Sequence, residues 1–168
     1  MRKALWGIML VAGFVLAAAT AVPQSLPNTP GETLSGKRIV LDNAVRGHAV
    51  VLIFGFSKDA GDGCGEWFKA VRADSALSGA AVYQVAMLEK APGFVRGMIK
   101  AGMRKGVAVA DQASFVVLVQ DDNLWRSYFG VTDDKEPYVS LIDATGRVLW
   151  HGHGAAKDLE PLLKGALK

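Results

Sequence analysis

The sequence predicts one α/β layered sandwich, and three observations carry that prediction. From residue 37 onward, strand-like and helix-like segments alternate, as they do when helices cross between the strands of a mostly parallel sheet. Residues 50–56 (VVLIFGF) form a continuous β-branched and aromatic run, the signature of a strand buried on both faces. The last third reads as a hairpin followed by a closing helix, with the turn Asp143-Ala144-Thr145-Gly146 between two short apolar runs.

Each element follows in order. Residues 37–41 make a short leading strand, and 50–56 make the central one. A Gly/Asp-rich loop, residues 57–63, leads into a helix over 64–77, near whose end Gly79 lies. Residues 81–88 (AVYQVAML) are the next strand. Pro92 suits a first helical turn, and helical spacing runs from there to about Arg104. Residues 115–120 (FVVLVQ) are a strand, and 123–129 (NLWRSYF) a short helix stopped by Gly130. Residues 138–142 and 147–151 pair as the hairpin, and 156–167 form the final helix.

The start of the chain has a different character. Arg2 and Lys3 precede an almost wholly apolar stretch, residues 5–19, and Ala19-Thr20-Ala21 offers the small residues that a signal peptidase requires. That stretch is shorter than the roughly 20 residues needed to span a bilayer. The expected organisation is a signal peptide over 1–21, a proline-bearing linker over 22–35 (Pro23, Pro27, Pro30) and one domain over 36–168. An uncleaved membrane anchor is the alternative. Cleavage leaves 147 residues, enough for one core. It also removes two of the cations, so the formal charge drops from +3 to +1. That near-neutrality, with no nucleic-acid motif, excludes a nucleic-acid partner. No G-x-G-x-x-G or Walker loop is present, which excludes nucleotide binding by those routes.

The distal segments carry a resemblance. Tyr128-Phe129-Gly130-Val131, then Glu136-Pro137-Tyr138-Val139-Ser140-Leu141-Ile142-Asp143, then Gly146-Arg147-Val148 resemble the second half of thioredoxin-like domains. Arg46-Gly47-His48 before VVLIFGFS resembles the lead into their central strand. The resemblance implies a thioredoxin-like three-layer sandwich, with a central mixed sheet and helices on both faces. It also implies that Pro137 is a cis-proline, and that extended polypeptide docks on Asp59, Asp62, Gly63, Glu136, Pro137, His153 and Gly154. A narrower resemblance is to the mitochondrial ATP synthase assembly-factor family, whose thioredoxin-like domain lacks a redox cysteine pair. It rests on Phe94-Val95-Arg96-Gly97-Met98-Ile99-Lys100 with Arg104-Lys105, and on Tyr138 to Asp143 with Gly146-Arg147-Val148-Leu149-Trp150 and Gly154.

Dithiol chemistry needs two cysteines spaced Cys-x-x-Cys at a helix start, one activated by the helix and one to resolve the mixed disulfide. The chain has a single cysteine. Aligned without gaps, the two positions fall on Asp59 and Asp62; with a two-residue insertion they fall on Gly61 and Cys64. Dithiol exchange is excluded. Cys64 shares a helical stripe with Trp67, Phe68 and Val71, which points to packing. A peroxidatic or monothiol Cys64 is the alternative role.

Two further candidates arise. His151 and His153 alternate on a strand and share a face, a possible start for a metal site. Arg96, Lys100 and Arg104 form a row at i, i+4, i+8 of the helix after Pro92, with Lys105 adjacent, suited to an anionic membrane surface or an acidic partner. The combined expectation is an exported protein, periplasmic in a bacterium, that binds a protein partner and needs no cofactor. A single-cysteine peroxidase or thiol-exchange enzyme is the competing expectation.

Overall fold

The structure is a computed structural model and describes residues 26–165; the signal-peptide reading lies outside them. One seven-stranded sheet runs through the domain. Its strands are β1 (Pro30–Thr33), β2 (Arg38–Val40), β3 (Val50–Gly55), β4 (Ala81–Met87), β5 (Phe115–Leu118), β6 (Tyr138–Ile142) and β7 (Val148–His153). Across the sheet the order is β2-β1-β5-β4-β3-β6-β7. β3, β4 and β5 are parallel neighbours, while β1, β6 and β7 pair antiparallel. The sheet is therefore mixed.

β3 sits between β4 and β6, and all six of its residues are buried. That accounts for the apolar run: a strand covered on both faces has no solvent side to mark with polar residues. Val50, Leu52 and Phe54 face one core layer; Val51 and Ile53 face the other. The first layer is closed by α1 (Leu41–Ala44) and α4 (Asp122–Phe129). There Phe54 meets Trp125 at 4.4 Å and Phe129 at 5.2 Å between ring centres. The second layer is closed by α2 (Gly61–Ala73), whose Cys64, Trp67 and Val71 are buried, and Ala156 of α5 (Ala156–Gly165) joins it. A third, smaller cluster sits under α3 (Gly93–Gly106). Helices thus cover both faces of a mixed sheet.

Within the stretch 22–35, expected as a linker, Pro30–Thr33 forms strand β1, between β2 and β5. Glycine makes the fit possible: a Cβ on Gly31 would lie 2.6 Å from Leu118 Cδ2 and 2.8 Å from Val116 Cγ1. Proline at the first residue of a strand removes only a donor that can be spared there.

Candidate functional site

The loop after β3 and the first turn of α2 decide what the site can do. α2 begins at Gly61 with no side-chain cap, and helical phase then separates two adjacent residues. Gly63 turns toward Pro137: a Cβ placed on it would be 3.1 Å from the proline Cδ. Cys64, about 100° further round the helix, turns inward over the sheet. Its sulfur lies 3.2 Å from where a Gly55 Cβ would be, and the residue is 2% exposed. Burial disfavours the thiolate and pushes the thiol up to about 12. The residue facing the proline therefore has no side chain, and the thiol points away from it.

Pro137 is buried, and the structure corrects its expected geometry. No peptide bond among the described residues is cis, so Glu136–Pro137 is trans, the ordinary preference. The preceding loop is held by other means. The Tyr138 hydroxyl accepts from the amides of Thr132 and Asp133 and donates to the Asp133 carbonyl. Arg126 clamps Asp134 through both guanidinium branches, at 2.5 and 2.9 Å, which holds the Asp134 carboxyl below its usual range. The Ser57 hydroxyl donates to the Asp134 carbonyl at 2.7 Å, linking this loop to the one after β3.

The third segment closes the site. Gly154 donates its amide to the Pro137 carbonyl at 3.1 Å, and Trp67 Nε1 donates to the Gly154 carbonyl at 2.8 Å. His153 stacks on Tyr138 at 5.2 Å, and its Nδ1 lies 2.5 Å from Glu136 Oε2. The Glu136 carbonyl itself accepts no hydrogen bond from the described residues. The expected set thus assembles around one proline. Gly63, Glu136, His153 and Gly154 are linked to it directly or in one step, and Asp59 and Asp62 lie exposed on the adjoining loop and helix start. Sequence reasoning missed Trp67, Arg126 and Asp134, which hold this arrangement. Trp67 was visible only as a member of the packing stripe, and nothing in the spacing pairs Arg126 with Asp134.

His151 and His153 do lie on one face of β7, opposite Ser140 and Tyr138 of β6. The half-buried His151 imidazole is held below its ordinary pKa by burial and by the neighbouring His153. No cluster of three or more His, Cys, Asp or Glu residues able to hold a metal occurs among the described residues. The basic row of α3 is directed at the protein's own body. Arg96 donates to the carbonyls of Glu89 and Ala91, Lys100 pairs with Glu32 at 2.8 Å, and Arg104 donates to the Leu34 carbonyl at 2.6 Å.

No protein-family model and no curated protein matches the sequence. Solved structures do. The chain is similar to a putative thiol:disulfide interchange protein DsbE of Chlorobium tepidum, at 19% identity and a TM-score of 0.57, over 88% of this chain and all of that one. It is similar to the exposed lipoprotein thioredoxin Etrx1 of Streptococcus pneumoniae, at 19% identity and 0.55, over 83% of this chain and 98% of that one. It also resembles BsSco, of the Sco family of cytochrome c oxidase assembly proteins, at 12% identity and 0.56, over 86% and 94%. At these identities the likeness speaks to architecture, and it agrees with the layers and strand order above: the chain has the thioredoxin-like fold.

Proposed function

We propose that this protein is an exported, non-catalytic thioredoxin-like domain that binds a protein partner at the surface around Pro137, in an assembly or maturation role within the cell envelope. One observation carries the reading. The helix start opposite Pro137 presents Gly63, and the lone thiol is turned into the core. A thioredoxin-like scaffold whose exchange position has no sulfur retains a docking surface without exchange chemistry. The Glu136 carbonyl, which accepts no hydrogen bond from the described residues, supports docking of an extended segment by main-chain pairing. The basic n-region and apolar stretch at the start of the sequence support export. Among the solved relatives, one is named an exposed lipoprotein and another an assembly protein, which agrees with an envelope role. The narrower likeness to ATP synthase assembly factors belongs to the same proposal and rests on the sequence segments alone.

The test is a photocrosslinking amino acid placed at Asp59 or Glu136 in the cell, with the exposed Thr145, in the turn at the far end of β6, as control. A discrete protein adduct from the first two positions only is the expected result. Adducts absent from both, or equal at all three, would remove the reading. A peroxide-consumption assay on wild type and Cys64→Ser addresses the enzymatic alternative, and activity lost with the sulfur would establish it instead.

A further inference from the structure

α3 lies over the sheet without burying any residue completely. Between it and α2 runs an open groove of about 1480 Å³. Gly65 and Phe68 of α2 form one wall, Gly102 and Met103 of α3 the other, and Ala86 and Leu88 lie on the floor. From these walls and floor we infer that the groove receives an α-helix of another protein, apolar along one stripe and acidic along its flanks. The groove adjoins the Pro137 surface at Asp62, and the reading does not rest on that surface.

Three observations select that occupant. The first is size. Three turns of helix, 10–12 Å across with side chains and about 16 Å long, occupy roughly 1300–1800 Å³, and the groove matches this. The second is the walls. Gly61 and Gly65 on α2, and Gly102 and Gly106 on α3, all line the groove, and a Cβ on any of them would meet nothing within 4 Å. At Gly65 and Gly102, which lie inside their helices, glycine costs about 0.5–1 kcal/mol relative to alanine. No neighbour in the fold needs the space at these positions. The bare walls admit close approach of another backbone.

The third observation is charge. Of the cations lining the groove, Arg72 is paired with Asp111 and Lys90 with Asp122. Lys58 and Lys69 have no acidic partner among the described residues; Asp62 lines the groove with them, and Asp59 and Glu66 stand exposed near them along the chain. α3 itself contains no acid, although its Arg96, Lys100 and Arg104 turn to the protein's own carbonyls and to Glu32 and do not line the groove. This field also argues against a second copy of the chain. The exposed apolar stripe of α3, Phe94 and Met98, belongs to that same basic helix and would bring like charge to like.

The experiment uses the chain without its signal segment, since the described residues include both groove walls and the sheet between them. The probe is a fluorescein-labelled, hydrocarbon-stapled peptide of about three turns, with Leu at i, i+3, i+4 and i+7 and Glu on both flanks, followed by fluorescence anisotropy. Saturable binding is expected, weakened about tenfold or more when Lys replaces the Glu flanks or in the Lys58→Glu/Lys69→Glu protein. Gly102→Trp, which fills open space, abolishes binding while the unfolding midpoint holds; Glu136→Gln leaves binding unchanged. Any of four results would overturn the inference: no saturation, equal affinity for the Lys-flanked peptide, wild-type binding by Gly102→Trp, or sedimentation showing a dimer that Gly102→Trp dissolves. Binding of oleate without binding of the peptide would likewise overturn it, assigning the groove to an amphiphile.

Discussion

Cys64 offers a quantitative test of the redox-silent reading. Alkylation by iodoacetamide proceeds through the thiolate, so its rate scales with the ionised fraction and with access. Burial raises the Cys64 pKa from 9.0 to about 12. At neutral pH that leaves about a thousandfold fewer thiolates than an unperturbed thiol has. With the residue 2% exposed and its sulfur packed close to Gly55, restricted access slows labelling further. The assay is mass-spectrometric: the rate at which the native protein gains one carbamidomethyl group at pH 7, against the same protein in guanidinium chloride. Native labelling should be at least about a thousandfold slower. A native rate within about tenfold of the unfolded one would refute both the burial and the inference that no accessible thiol serves this fold.

Further expectations follow from named contacts. Gly63→Val should lower stability by about 1–3 kcal/mol in denaturant titration, because its Cβ meets the Pro137 ring at 3.1 Å and that ring is buried. Arg126→Met should cost about 3 kcal/mol by the same measurement, since it strips the buried Asp122 of its 2.6 Å partner and leaves only Lys90 at 3.3 Å. Stability should fall as pH rises above about 9, where the unfolded chain ionises Cys64 and the native state cannot until about 12. Tyr128, raised from 10.0 to about 12, adds to the same loss, so Cys64→Ala should remove only its earlier part. Glu32 is held below its ordinary value chiefly by Lys100. Its anchorage of α3 is therefore present above the usual carboxylate range and is lost as pH falls through its native value. Hydrogen exchange of α3 amides, corrected for intrinsic rates, should accelerate there.

How much could be read from residues alone varies with the physics involved. Residues 50–56 announce a twice-covered strand because nothing in them is polar, and Asp143 to Gly146 announces a tight turn: Gly146 takes φ 88°, and the Asp143 carboxylate gathers the Thr145 and Arg147 amides. Both are local signals, and the likeness to solved thioredoxin-like structures agrees with the fold they suggest. Strand β1 is hidden in the sequence because Pro30 and Gly31 mark a loop locally, and only pairing with β2 and β5 makes them a strand. That omission concealed a second feature. The row Arg96, Lys100 and Arg104 reads as an outward face unless Glu32 and the Leu34 carbonyl are known to stand opposite it. The Pro137 geometry was carried over from likeness, and no pattern in this chain encodes a peptide-bond isomer.

The chain of bonds from the Trp67 indole to the Gly154 carbonyl, and from the Gly154 amide to the Pro137 carbonyl, bears on the thermodynamics of recognition. Three segments far apart in sequence are fastened to one buried ring system, so the proposed docking region would exist before any partner arrived. Association there freezes few host torsions, and complexes should form with little loss of conformational freedom on this side. Most of the ordering would fall on the incoming polypeptide.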